Sequence, residues 1–193
     1  ANAVTIFSRD PDNFVGPTDE VISAKELGGA RGMAISPDGA HLYVAGSTGV
    51  LSGTIAAFSR NQTTGALTHV QTRREGELLG NPPFIFYLDG LAGASQVLVS
   101  PDGQYVYVSA LDDDAINLFR RDVLTGKLTR LRLYRDGFGG IDGLDGAFGM
   151  AFSQDGSKLL VTGYLDDAVA VFDRDAASGL LTFLEVVKPD ANT

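Results

Sequence analysis

Three times along this chain a short polar turn leads into a strand-like run, and the same landmarks follow each time. No other feature limits the possible folds as strongly. The turns are Ser36-Pro37-Asp38-Gly39, Ser100-Pro101-Asp102-Gly103 and Ser153-Gln154-Asp155-Gly156. They open into His41-Leu42-Tyr43-Val44, Tyr105-Val106-Tyr107-Val108 and Lys158-Leu159-Leu160-Val161. Next come Thr54–Phe58, Ala115–Phe119 and Ala168–Phe172, each an apolar run ending in Phe. Every copy closes with a hairpin signal and a last run, at Thr64-Gly65-Ala66-Leu67, Thr125-Gly126-Lys127-Leu128 and Ser178-Gly179-Leu180-Leu181. Pro and Gly set the special backbone angles of such turns, and Asp bonds the backbone just beyond itself. The β-branched and aromatic residues between them suit a pleated, half-buried surface.

The middle copy predicts strands over Gln96–Val99, Tyr105–Ser109, Ala115–Arg120 and Lys127–Leu131. A four-stranded antiparallel meander recurring every ~50–65 residues is the pattern of a propeller blade. Residues 29–92 then form one blade with a long connector, 93–146 a second, and 147–193 a third with a polar tail. Residues 1–28 are a half blade: Asn2–Asp10 aligns with the third strand at Asp167–Asp175, with no first or second strand ahead of it. Pro11, Asn13, Gly16 and Pro17 are expected in its hairpin, and Asp19–Ser23 as its fourth strand. The expectation is an all-β propeller segment, three full blades plus an N-terminal half blade in an incomplete ring.

The S-P-D-G turn, the strand Leu42-Tyr43-Val44-Ala45, the run Val169-Ala170-Val171-Phe172-Asp173-Arg174-Asp175 and the T-G-x-L-T hairpin resemble the YVTN-type β-propeller repeat. That repeat is shared by lactonase-like seven-bladed propellers and by many bacterial secreted or surface propellers. The resemblance runs from Ala3 to Val187 and implies an extracytoplasmic setting. Lactonases of this kind carry histidine, arginine and glutamate at the mouth of the axial channel. The matching positions here are Gly29-Ala30-Arg31, Gly93-Ala94-Ser95 and Gly146-Ala147-Phe148, and Arg31 alone keeps a polar group suited to a carboxylate. The plainer account of Arg31 is a loop-edge arginine paired to a neighbouring acid. Propellers host many unrelated activities. The expectation from these positions is a non-catalytic binding or structural module within a larger chain or assembly. A lactonase-like hydrolase acting at the axial channel is the alternative.

With 24 acidic and 15 basic side chains the formal net charge is −9, which disfavours a nucleic-acid surface. No cysteine is present, so thiolate metal sites and cysteine nucleophiles are excluded. No apolar run approaches the roughly 20 residues of a membrane-spanning helix. Ala1 is not preceded by a charged-then-apolar leader or an initiator methionine, so a mature, processed or excised chain is expected. The two histidines, His41 and His69, fall on the S-P-D-G face and on an outer strand, away from the axis.

Meander topology sends the second-to-third-strand loops and the blade connectors to one face. Asp112, Asp113, Asp114, Asp142, Asp145, Asp166 and Asp167 gather there, with Asp89 and Asp136. Oxygen-rich Asp/Gly loops are the ligand type calcium prefers, and these seven are its candidate ligands. Solvated turns are the other account, since no contiguous EF-hand loop is present. The connector Arg74–Ala92 carries Phe84, Phe86 and Tyr87, expected as a contact for a protein partner or the remaining propeller strands. The same residues would alternatively fold back as a plug between blades.

Overall fold

The structure is a computed structural model that describes residues 3–9, 15–22, 27–79 and 86–189. Strands β1 (Val4–Arg9) and β2 (Val15–Ile22) form a two-stranded sheet. The first full blade is β3 (Ala30–Ile35), β4 (His41–Gly46), β5 (Thr54–Arg60) and β6 (Leu67–Arg74). A short ribbon follows, β7 (Leu78–Leu79) against β8 (Phe86–Tyr87). The second blade is β9 (Ala94–Val99), β10 (Tyr105–Ala110), β11 (Ala115–Arg121) and β12 (Leu128–Arg135). The third is β13 (Ala147–Phe152), β14 (Lys158–Gly163), β15 (Ala168–Arg174) and β16 (Leu181–Val187). Within each blade, strands adjacent in sequence pair antiparallel, as the meander requires. The described residues do not close a ring, and no helix among them is long and apolar enough to cross a membrane.

The turns that mark the repeat hold their shape through one carboxylate. Asp38 accepts from the Ser36 hydroxyl at 2.5 Å and from the Ala40 N–H at 3.0 Å. Asp102 does the same with Ser100 and Gln104, and Asp155 with Ser153 and Ser157. Side-chain-to-backbone bonds of this kind satisfy the turn locally, so each blade's inner hairpin is specified by its own sequence.

The core lies between blades. Tyr43, Ile55 and Ala57 of the first blade pack on Val97, Val106, Val108 and Phe119 of the second, with Leu88 and Leu91 of the connector sealed in the same layer. Tyr107, Ile116 and Leu118 pack in turn on Met150, Leu159, Val161 and Phe172 of the third. Strand β10 is buried along its whole length because a blade covers it on each side.

Val4 of β1 packs with Leu42, Val44 and Phe58, so β1 lies against β4 and β5 of the first blade. Strand β3 stays open. Met33 is 65% exposed, although Val97 and Met150 at the matching positions of β9 and β13 are 0% and 6% exposed.

Local departures from the sequence expectation have simple causes. Strand β2 begins at Val15, so Gly16 and Pro17 sit in the strand, Pro17 opposite Phe7. Proline is tolerated there because β2 is an edge strand. Pro11 and Asn13 lie outside the described residues. Strand β12 runs on to Arg135, keeping its pairing with β11 through a bulge at Leu118/Phe119.

Candidate functional site

Each inner strand loses register at its connector end. Ladder pairs jump from Ala30–Gly46 to Gly32–Ala45, from Ala94–Ala110 to Gln96–Ser109, and from Ala147–Gly163 to Met150–Val161. Arg31, Ser95 and Phe148 therefore drop out of the ladder at the same place in three successive blades. Bulges re-aim side chains and are frequent beside active sites. Arg31 is exposed and Phe148 is half exposed, while the buried Ser95 hydroxyl donates to the Gly93 carbonyl at 2.7 Å. The exposed Asp112, from the β10–β11 loop, lies over Gly93, where an added Cβ would come within 2.8 Å of its Cγ.

Neither Arg31 nor the Asp112 carboxylate has an ion-pair partner among the described residues, so the paired-arginine account of Arg31 does not hold there. Around them the wall is tied together. The Ser109 hydroxyl donates to the Phe148 carbonyl at 2.6 Å, and the Gln96 side chain accepts from the Met150 N–H. Among the described residues, the connector end of the inner strands thus carries a guanidinium, Arg31, and a carboxylate, Asp112, with no ion-pair partner. A guanidinium is suited to hold an anion or developing oxyanion, and a carboxylate to act as a base.

The acidic connectors resolve into two repeats of one arrangement. Glu75, Asp89 and Asp113 bring carboxylate oxygens within 4.8 Å of one another, as do Asp136, Asp142 and Asp166. In the first, Glu75 accepts from the Leu91 N–H and Asp113 from the Ala92 N–H, both at 2.7 Å. In the second, Asp136 accepts from Leu144 N–H at 2.9 Å and Asp166 from Asp145 N–H at 3.1 Å. A basic residue closing the fourth strand sits over each. Arg135 reaches Asp89 at 3.1 Å and Asp113 at 3.3 Å, and Lys188 reaches Asp166 at 3.1 Å and Asp142 at 3.3 Å. Burial pushes the Glu75 and Asp113 carboxyls up from their ordinary range, and the neighbouring acids add to the rise.

Of the seven expected ligands, Asp113, Asp142 and Asp166 enter these clusters. Asp112 stands at the mouth instead. Asp114 accepts from the Gly146 N–H at 2.8 Å, and burial together with Asp114 and Asp166 raises the Asp145 carboxyl. Asp167 is exposed in a left-handed turn, φ +50°. Glu75, Arg135 and Lys188 were not singled out from sequence. The available signal was their equal offset from repeat landmarks: Arg135 and Lys188 stand at the same distance beyond Leu128 and Leu181.

His41 is buried on the opposite face, and Arg121 Nη2 lies 2.7 Å from its Nδ1. His69 stacks edge-on against Phe58 in the outer strand. Neither histidine is at the mouth. In the long connector, Leu79 and Leu88 join the inter-blade core, whereas Tyr87 and Leu78, paired across the ribbon, are 62% and 60% exposed. Phe84 lies outside the described residues, and for Phe86 only the backbone, in β8, is described.

Three four-stranded antiparallel meanders stacked face to face define a β-propeller. The chain belongs to the family of seven-bladed β-propeller lactonases, whose model matches residues 1–190. A candidate 6-phosphogluconolactonase from Bacteroides uniformis is similar at 25% identity and a TM-score of 0.76, over 98% of this chain and 50% of that one. The periplasmic gluconolactonase of Pseudomonas aeruginosa is similar at 26% identity and a TM-score of 0.66, over 97% and 48%. A protein from Lactobacillus plantarum, 21% identical with a TM-score of 0.70 over 97% and 51%, shares the fold. The chain spans about half the length of these structures. No curated protein matches it. The family match overturns the expectation of a non-catalytic module. That expectation weighed the missing histidine and glutamate heavily, although the matching positions cover only part of a seven-bladed rim.

Proposed function

We propose that this chain forms part of a lactone-hydrolysing propeller that opens a cyclic ester of a sugar acid at the channel mouth. The observation that carries the reading is the family match over residues 1–190, supported by the two relatives named as gluconolactonases. Water adds to the lactone carbonyl, the ring C–O bond breaks, and the leaving alkoxide takes a proton. Arg31 holds the anionic substituent of the substrate or the developing oxyanion, and Asp112 takes the proton from the attacking water. The ring is completed by further propeller strands, and the setting is extracytoplasmic, as for the periplasmic relative. The exposed Tyr87, with Phe84 and Phe86 along the same connector, serves as a contact for a protein partner or for those strands.

The test is turnover of glucono-δ-lactone and its 6-phosphate by the polypeptide carrying this sequence. Arg31→Ala and Asp112→Asn should each lower kcat/KM by roughly 10²-fold. An Arg31→Ala effect confined to KM for the phosphorylated substrate would assign the guanidinium to the phosphate. Undiminished turnover in both variants would remove the site.

A further inference from the structure

At the joint between the first and second blades, the fourth strands β6 and β12 border a groove of about 410 Å³. Leu79, Leu88, Phe119 and Leu133 make it apolar, and Arg73 and Arg130 bring charge to it. Leu88 and Phe119 belong to the inter-blade core, so the groove opens directly onto packed side chains. Its sides are fixed. The Leu128 N–H donates to Gln71 Oε1 at 2.8 Å and Arg73 Nη2 donates to the Leu128 carbonyl at 3.3 Å, tying β6 to the start of β12. The Leu88 N–H donates to the Glu77 carbonyl at 2.7 Å, which holds the connector in place. A preformed, mostly apolar cleft of this size with a few placed polar groups is the usual setting of a small-molecule site.

The two arginines are held differently. Arg73 is occupied, since Nη1 donates to Glu77 Oε1 at 2.7 Å while Nη2 bonds Leu128. Arg130 is half-buried, and its orientation is set from behind. Its Nε donates to Asn117 Oδ1 at 3.0 Å, and the fully buried Asn117 donates from Nδ2 to the Asp89 carbonyl at 3.2 Å. Neither Nη of Arg130 has a hydrogen-bond or ion-pair partner among the described residues. Burial opposes its charge and lowers its pKa, by more than Asp89 and Glu75 raise it. A partly desolvated guanidinium with both Nη groups free is a site for an oxyanion.

We propose that this groove binds a small organic acid, its single carboxylate on Arg130 and its aliphatic or aromatic body against Leu79, Phe119 and Leu133. The carboxylate accepts from the two free Nη groups, and the body removes apolar surface from water. A singly charged group is selected because the charges of Asp89 and Glu75 reach Arg130 and oppose a second negative charge there. Arg132 also borders the groove but is exposed, so its screened charge offsets little of that repulsion. The groove is separate from the mouth. It lies between fourth strands, whereas Arg31 is on the first strand β3 and Asp112 on the β10–β11 loop.

The probes are octanoate, 1-octanol and inorganic phosphate, titrated into the chain at neutral pH and followed by leucine methyl NMR and calorimetry. Octanoate should shift the Leu79, Leu88 and Leu133 methyls and bind about tenfold more tightly than octanol, and phosphate should not displace it. Arg130→Gln, which keeps a donor for Asn117, should weaken octanoate about tenfold and leave octanol unaltered. If that variant fails to fold, the ratio of octanoate to octanol affinity on the unaltered chain decides. Equal affinities for the two, methyl shifts confined to other leucines, displacement by phosphate, or a folded Arg130→Gln variant that binds octanoate undiminished would overturn the proposal.

Discussion

At the scale of residues, each blade joint depends on groups that must keep one protonation state. The Arg121 guanidinium donates to His41 Nδ1, which requires a neutral ring, and burial together with the Arg121 charge holds the His41 pKa below its ordinary value. Burial opposes ionisation of Asp38, but hydrogen bonds from Ser36 and Arg121 outweigh it and hold that carboxyl well below the usual range. Both groups have a folded pKa below the unfolded one. Their stabilisation is therefore complete above the unfolded pKa and lost as pH falls through the folded value. For His41 the loss starts below about pH 6.5, and for Asp38 below about pH 4. The melting temperature should decline in two steps on acidification, measurable by calorimetry. His41→Gln should flatten the first step and leave the second. An unaltered first step would place its origin elsewhere. The Arg121 contacts could not be read from the sequence, because Arg121 and Asp38 are 83 residues apart and meet only when blades stack.

At the scale of elements, the sequence carried the blade well because each turn is satisfied within itself. Each S-x-D-G carboxylate accepts from its own turn's backbone and hydroxyl, whatever else it bonds. What escaped it was the use made of loops after packing. Asp113 and Asp166 were expected as calcium ligands; that they cap the next connector, with Arg135 and Lys188 laid over them, was not legible. Calcium would have to compete with those cations. Millimolar calcium should therefore raise the melting temperature more in Lys188→Gln than in the unaltered chain. No shift in either protein would end the expectation that these acids bind calcium.

Glycines separate in the same way. Gly179 and Gly137 both have φ near +70°, but a Cβ at Gly179 would stand 2.5 Å from the Tyr105 ring and one at Gly137 would touch nothing. Gly137→Ala should cost about 1 kcal/mol and Gly179→Ala at least about 2 kcal/mol more, by urea denaturation. Equal costs would show that Tyr105 moves aside freely.

At the scale of the whole molecule, three blades and an outer strand pair among the described residues leave two unlike ends. At one, Met33 and Ile35 of β3 stand open; at the other, Leu184 and Val187 of β16 are 44% and 55% exposed. The half blade was legible in sequence because its third strand aligns residue by residue with Asp167–Asp175. The openness of β3 was not, since Met33 looks no different from Val97 or Met150 until their neighbours are known. Propellers otherwise remove such edges by closing the ring. Burying a Met or Ile side chain of this kind is worth about 1.5–3 kcal/mol, so the open ends favour contact with any available apolar surface. The chain on its own should therefore associate with rising concentration in light scattering and unfold over a broad temperature range. Met33→Lys combined with Ile35→Thr should reduce the association. A compact monomer with one sharp transition, unaffected by these substitutions, would show that these ends are stable in water.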